Sequence, residues 1–221
     1  MGMKQLRGLY LVFDPLLGEA GLTATRDALN GGVDIVQLLY SRAKTPGYAR
    51  ILREITRTHN VPLLVNNDLA LAREVGAEGV HIDGTRPLPS EVRANLGSDA
   101  IVGYTCGNEL EKVRWAVKTG ADYVSFCSIF PSGSAGECEL VPLETVERAR
   151  KETKIPIFAS GGINHENAGR VLSTGIDGIA VISAILKVSD PESSARRFKQ
   201  ILEVYRKTPI SASGSASPRS L

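Results

Sequence analysis

Short apolar runs rich in β-branched residues alternate strictly with longer amphipathic stretches, and the alternation repeats eight times along the 221-residue chain. A strand that is apolar on both faces must be covered on both, so this repetition predicts a parallel sheet wrapped in helices. The strand candidates are Leu9–Phe13, Asp34–Leu38, Pro62–Val65, Gly79–Ile82, Ala100–Gly103, Tyr123–Cys127, Pro156–Ala159 and Gly178–Ile182. Helix candidates lie between them at about Leu22–Asn30, Gly47–His59, Leu69–Val75, Ser90–Asn95, Glu109–Thr119, Pro142–Lys151, Glu166–Ser173 and Glu192–Lys207. Eight such units, each roughly 25 residues long, point to an α/β fold: a single-domain (β/α)8 TIM barrel over residues 1–207. An open doubly wound sheet is the alternative, but the first turn, Asp14-Pro15-Leu16-Leu17-Gly18, lacks the GxGxxG expected there.

Four helix-to-strand joints share one signature: Gly32-Val33-Asp34, Gly76-Ala77-Glu78-Gly79, Gly120-Ala121-Asp122 and Gly175-Ile176-Asp177-Gly178. A glycine just past the helix end takes the left-handed conformation, and the acidic residue stands at the foot of the next strand. Residues 208–221, TPISASGSASPRSL, lose all apolar period and are predicted to be a disordered tail.

Composition excludes several partner classes. The 26 Lys and Arg are scattered among 24 Asp and Glu, so no basic block marks a nucleic-acid or membrane-surface footprint. No run of 18 apolar residues occurs, and the apolar segment in MGMKQLRGLYLVF is too short for a signal peptide, so a cytoplasmic protein is expected. Cys106, Cys127 and Cys138 are odd in number and lack CxxC spacing, which argues against a disulfide framework or a zinc ribbon. Small anionic ligands remain compatible with this balance.

In a (β/α)8 barrel the active site is built at the C-terminal ends of the strands. Ser160-Gly161-Gly162-Ile163-Asn164 follows strand seven, and Val181-Ile182-Ser183-Ala184-Ile185 closes strand eight and opens a short helix. Glycine amides and a helix start together suit a phosphate, at the place where barrels often carry one. Ser132-Gly133-Ser134 offers two hydroxyls to the same anion. In Asn66-Asn67-Asp68, Asp68 reads either as a divalent-metal ligand or as the cap of helix three. His81, beside Asp83, reads as a general base, a metal ligand or a packed, hydrogen-bonded residue; Cys106 and Cys127 read as buried hydrophobes.

The succession Gly8-Leu9-Tyr10-Leu11-Val12, Gly31-Gly32-Val33-Asp34-Ile35-Val36-Gln37-Leu38, Ala77-Glu78-Gly79-Val80-His81-Ile82, Gly120-Ala121-Asp122-Tyr123-Val124, Ile129-Phe130-Pro131-Ser132, Gly161-Gly162-Ile163 and Val181-Ile182-Ser183-Ala184-Ile185 resembles the thiamine phosphate synthase and thiazole tautomerase superfamily from about residue 8 to 205. The resemblance implies a condensation in thiamine biosynthesis. Hydroxymethylpyrimidine diphosphate loses pyrophosphate, and the nitrogen of thiazole phosphate captures the pyrimidine cation to give thiamine phosphate. It also implies Mg²⁺ with Lys and Arg on the departing diphosphate. By position, Gly162, Ile182 and Ser183 match the family's phosphate site, and Ser132 and Ser134 stand where the family has a Thr-x-Thr pair. Gln37, Asn66 and Thr105 match catalytic or pyrimidine-side positions.

The diphosphate side departs from the pattern. The family's Gln-Leu-Arg-x-Lys reads Gln37-Leu38-Leu39-Tyr40-Ser41, leaving Arg42 and Lys44 downstream as substitutes. Of the two Mg²⁺ carboxylates, one falls on Asn67, next to Asp68. The other, in His-x-Gly-Gln-x-Asp, falls on Arg86 within His81-Ile82-Asp83-Gly84-Thr85-Arg86. Arg86 could act as a fixed cation for the diphosphate, while Asp68 or Asp83 could relocate the metal site. The Lys after Thr-x-Thr is Ala135, and the tautomerase His after strand five has no counterpart in Thr105-Cys106-Gly107-Asn108. The open readings are the synthase reaction, another reaction on a phosphorylated heterocycle, or binding of thiazole phosphate or thiamine phosphate without catalysis. Related barrels imply a homo-oligomer.

Overall fold

A computed structural model describes residues 6–39, 45–133 and 139–207. Eight parallel strands close in sequence order, β1 next to β8, with each strand followed by at least one helix. The order is β1 (Gly8–Phe13), α1 (Gly18–Asn30), β2 (Ile35–Leu38), α2 (Thr45–Thr58), β3 (Leu63–Asn66), α3 (Leu69–Val75), β4 (Gly79–Ile82) and α4 (Pro89–Leu96). It continues through β5 (Ile101–Thr105), α5 (Leu110–Thr119), β6 (Tyr123–Phe126), α6 (Leu143–Glu152), β7 (Ile157–Ser160), α7 (Ala168–Leu172), β8 (Gly178–Val181), α8 (Ser183–Leu186) and α9 (Pro191–Lys207). The TIM barrel expected from the alternation is therefore present, and the open-sheet alternative is not. Among the described residues no helix is long and apolar enough to cross a membrane.

Boundaries moved where side chains compete for backbone groups. The 3₁₀ turn Pro15–Leu17, capped by Asp14 accepting from the Leu16 N–H, leads straight into α1 at Gly18, four residues before the expected start. At the other end, Asn164 Oδ1 accepts from the N–H groups of Glu166 and Asn167, which keeps those residues out of α7. The expected tail over 208–221 and the notional start at residues 1–5 lie outside the described residues.

The four glycine-acid joints do more than turn the chain. Gly32, Gly76, Gly120 and Gly175 all have positive φ. The acid that follows each accepts from a backbone N–H at the foot of the preceding strand, from its first or second residue: Asp34 from Leu9, Glu78 from Leu63, Asp122 from Val102 and Asp177 from Ile157. Each is also paired with a cation from the helix that precedes that strand around the barrel. Lys199 of α9 pairs with Asp34, Arg53 of α2 with Glu78, Arg93 of α4 with Asp122, and Arg150 of α6 with Asp177. One brace thus recurs at alternate strand pairs and ties helix, strand foot and next strand together.

These braces are partly screened from water, and they differ from the surface pairs in that respect. Arg93 and Asp122 side chains are 29% and 32% exposed, against 69% and 51% for Arg50 and Glu74. Arg93→Ala is expected to cost about 1–3 kcal/mol, because it strips a partly buried carboxylate of its partner, whereas Arg50→Ala should cost under about 1 kcal/mol. Urea unfolding checks this as a lower midpoint at unchanged slope for Arg93→Ala alone; equal effects of the two would show that the brace is an ordinary surface pair.

Candidate active site

Successive strand residues face opposite sides, so parity decides what enters the barrel. Tyr10, Val12, Ile35, Leu64, Tyr123, Phe158 and Ala180 form one buried interior cluster. Tyr10, Tyr123 and Phe158 meet edge to face in all three pairings, with centroids 5.3, 5.4 and 6.1 Å apart. Gly103 makes this possible: a Cβ there would stand 2.0 Å from the Tyr123 ring. Two residues further along the strands the interior turns polar, with Gln37 after Ile35, Asn66 after Leu64, Thr105 after Gly103 and Ser125 after Tyr123.

A continuous hydrogen-bonded chain climbs from this apolar floor to the mouth. The Tyr10 hydroxyl lies 2.8 Å from Gln37 Oε1 and 2.9 Å from the Tyr123 hydroxyl. Tyr123 reaches His81 Nδ1 at 2.8 Å, and His81 Nε2 lies 2.8 Å from Thr105 Oγ1. Thr105 Oγ1 is 3.0 Å from Asp83 Oδ1, while Asn66 and Asn67 both donate through Nδ2 to Asp83 Oδ2 at 2.9 Å. Asn67 returns its Oδ1 to the Asp83 N–H, also at 2.9 Å, from a left-handed backbone at φ 55°. Burial holds His81 below the usual imidazole range, against the upward pull of Asp83, and leaves the ring neutral at pH 7. Burial likewise raises Tyr10 and Tyr123, so both phenols keep their protons.

The other half of the mouth is backbone. Ile129 donates to Ser160 O and Phe130 to Gly161 O, seating the loop after β6 on the loop after β7. Glycine is needed beneath it, since a Cβ on Gly162, at φ 63°, would meet Pro131 O at 2.6 Å. Asn167 Nδ2 donates to the Gly162 carbonyl at 2.9 Å. Among the described residues the N–H groups of Gly162, Ile163, Ser183 and Ala184 have no acceptor. They stand on adjacent strand ends, because β7 pairs with β8. Uncommitted amides over glycines and at the opening of a helix are what an anion requires.

Sequence-based candidates sort unevenly on this geometry. Gln37, Asn66 and Thr105 are brought together by the polar chain, and Gly161, Gly162, Ile182 and Ser183 line the amide cup beside Ser132 and Gly133. Arg42, Lys44 and Ser134 lie outside the described residues. Two candidates already have partners within the chain. Arg86 pairs with Glu91 at 2.6 Å, whose other oxygen takes the Leu88 N–H at the start of α4. Asp68 takes the second of its two sequence readings, capping α3 by accepting from Leu71 at 2.8 Å, and Asn67 donates its amide to Asp83. Among the described residues no three His, Cys, Asp or Glu side chains form a metal-binding group.

Sequence reasoning missed Tyr10 and Tyr123 as polar participants and Asp83 as the hub. The available signal was parity, which puts Tyr10 on the same face as Val12 and Tyr123 on the same face as Ser125. Cys106 is buried with its thiol pushed up to about 12 by that burial, which matches its reading as a small hydrophobe. Cys106 and Cys127 are both free thiols.

The family described as thiamine monophosphate synthase matches residues 9–185. The thiamine-phosphate synthase of Thioalkalivibrio sulfidiphilus is 39% identical over 207 residues, covering 91% of this chain and 98% of that one. That of Methylococcus capsulatus is 37% identical, covering 91% and 92%. Among solved structures, thiamine phosphate pyrophosphorylase from Pyrococcus furiosus superposes with a TM-score of 0.79 at 31% identity, over 92% of this chain and 99% of that one. A 3-hexulose-6-phosphate synthase, at TM-score 0.71 and 17% identity, shares the fold. The match over most of its length, together with the barrel and its amide cup, places the chain in the thiamine monophosphate synthase family, to which it belongs as a transferase-type barrel of thiamine biosynthesis.

Proposed function

We propose that this barrel joins hydroxymethylpyrimidine diphosphate to thiazole phosphate, giving thiamine phosphate and pyrophosphate. The C–O bond to the diphosphate breaks with its electron pair leaving on pyrophosphate, and the thiazole nitrogen lone pair forms the new C–N bond. The observation that carries the reading is the set of uncommitted amides on Gly162, Ile163, Ser183 and Ala184, which suits the thiazole phosphate. Ser132, Gly133 and Ser134 would close over that phosphate from the loop after β6. Gln37, Asn66, Thr105 and Asp83 would hold the pyrimidine side. Arg42 and Lys44 are the cations proposed for the diphosphate.

Mg²⁺, which the family pattern implies, does not fit the described carboxylates. Asp83 Oδ2 faces two N–H donors, and Asp68 is a cap. No step is therefore assigned to a metal held by these residues. Non-catalytic binding of thiazole phosphate is the second reading, favoured by Asn67 and Arg86 standing where the family has metal carboxylates. Product formation separates the two: a melting shift with thiazole phosphate but no thiamine phosphate above background would sink the synthase reading.

Two substitutions examine the parts. Ser183 is exposed, so Ser183→Glu should leave the fold intact while raising KM for thiazole phosphate about tenfold or more, the equivalent of roughly 1.4 kcal/mol. Steady-state kinetics should show KM for the pyrimidine diphosphate unchanged, and Gly162→Asp should abolish the thiazole phosphate melting shift. Asn67→Asp sets a second carboxylate against Asp83 and should create a Mg²⁺-dependent rise in melting temperature of about 2–4 °C that the parent chain lacks, as expected for about 1 kcal/mol of linkage. A shift of the same size in the parent would show that its metal site is intact.

A further inference from the structure

The polar chain in the barrel contains a proton count that its distances do not display. Six groups, Gln37, Tyr10, Tyr123, His81, Thr105 and Asp83, are joined by five contacts of 2.8–3.0 Å. Each contact needs one proton. Tyr10, Tyr123 and Thr105 bring one each, and a neutral imidazole brings one, which makes four. With the Gln37 carbonyl oxygen toward Tyr10, both ends of the chain are acceptors, so one contact between buried groups is left without a proton.

Three changes would supply the fifth. Protonating His81 would place a charge on a ring stacked against Tyr123, on a residue that is 5% exposed. Protonating Asp83 would act against the donors already aimed at its oxygens from Asn66, Asn67 and Thr105. Turning the Gln37 amide by 180° about its last torsion puts Nε2 against Tyr10, keeps every heavy atom close to its place, and costs neither charge. Gln37 makes its hydrogen bond among the described residues only to Tyr10, and no buried side-chain nitrogen or oxygen lacks a partner, so the far end of its amide is open to the mouth.

We infer that the chain runs in one direction, Gln37 Nε2 to Tyr10, Tyr10 to Tyr123, Tyr123 to His81 Nδ1, His81 Nε2 to Thr105 and Thr105 to Asp83, and that Tyr10 and Tyr123 are positioning residues that turn the Gln37 carbonyl toward substrate. Two consequences follow for recognition. Thr105 has spent its only proton on Asp83 and cannot donate to substrate. Both ends of the chain then offer acceptors, the Gln37 carbonyl and the half-exposed Asp83 carboxylate, so the ring bound here must present N–H donors, as an amino-substituted pyrimidine does. The substrate named rests on the condensation proposed above; the direction of the chain does not.

Long-range ¹H–¹⁵N correlation on the full-length labelled chain at about pH 8 reads the direction through His81. The chain has three histidines, so His81→Asn identifies the ring by its missing signals. A neutral ring protonated on Nε2 is expected. A neutral ring protonated on Nδ1 would mean the chain runs the other way with Asp83 protonated or a contact broken, and a doubly protonated ring would mean a buried imidazolium; either overturns the inference. In kinetics, Tyr10→Phe cuts the chain next to Gln37 and should raise KM for the pyrimidine diphosphate about fivefold to tenfold, with KM for thiazole phosphate unchanged. Equal rises in both, or none, would reduce Tyr10 to a packing role. A chain that forms no thiamine phosphate at all defeats the proposed reaction, while the imidazole spectrum still decides the direction.

Discussion

Four carboxylates at the foot of the barrel hold this structure together. Each accepts from a backbone N–H at the foot of the strand before it and is neutralised by a cation from the helix outside, so strand, helix and next strand are fixed by one charged junction. With side chains 21% to 37% exposed, these groups keep enough hydration to avoid the full cost of a buried ion pair. Because closure is secured at the N-terminal ends, the C-terminal ends are free to carry loops chosen for chemistry. The recurrence at alternate strand pairs also divides the barrel into four equivalent steps, and the last of them, Lys199 on Asp34, joins the end of the chain to its beginning.

Above that foot the interior changes character within one strand repeat. Three aromatic rings fill the floor, and beyond them Gln37, Asn66, Thr105 and Ser125 bring polar groups to the interior. Such a boundary is costly unless each polar group finds a partner, and all the buried ones do. A network with both ends at the mouth and its middle among aromatic rings transmits orientation as well as stability, because each hydroxyl in it has one proton to give. The loops after β7 and β8 are built on the opposite principle. There the chain leaves amides without acceptors, beside carbonyls taken by Asn167 and by the loop after β6.

Much of the fold was legible because it repeats. The period of strands and helices, the glycines with positive φ and the acids after them are all local, and each appears several times, so one misread instance would not have changed the architecture. The cations of the braces were illegible for the opposite reason: Lys199 lies 165 residues from Asp34, and nothing local distinguishes it from other lysines. The adjacency of the two loops with open amides was legible from position alone, since glycines after strand seven and a helix start after strand eight come together whenever the barrel closes. The polar chain was not found, because it joins residues 27, 113, 42, 24 and 22 positions apart through side-chain parity on strands four to six residues long. The partner of Arg86 was equally hidden: its place in the family's motif says nothing of Glu91, five residues on, with which it pairs.

Hydrogen bonds order the ends of β3 and β4 where the family pattern has two metal carboxylates. Two carboxylates facing each other across the ends of β3 and β4 need a cation between them, since at contact distance their repulsion is large in a partly dry site. In this chain the first position is Asn67 and the second is Arg86, and a carboxylate has appeared at Asp83, where the family pattern has glycine. Asparagine tolerates the left-handed backbone that this corner demands, so the loop keeps its course. Its amide then does directly what a bridging cation would do, donating to Asp83 Oδ2 while its carbonyl takes the Asp83 N–H. The attraction between the two loops rests here on one carboxylate and the amide that faces it. A lock of this kind fixes Asp83 as an acceptor at the mouth, and that fixed acceptor is the end toward which the polar chain beneath it runs.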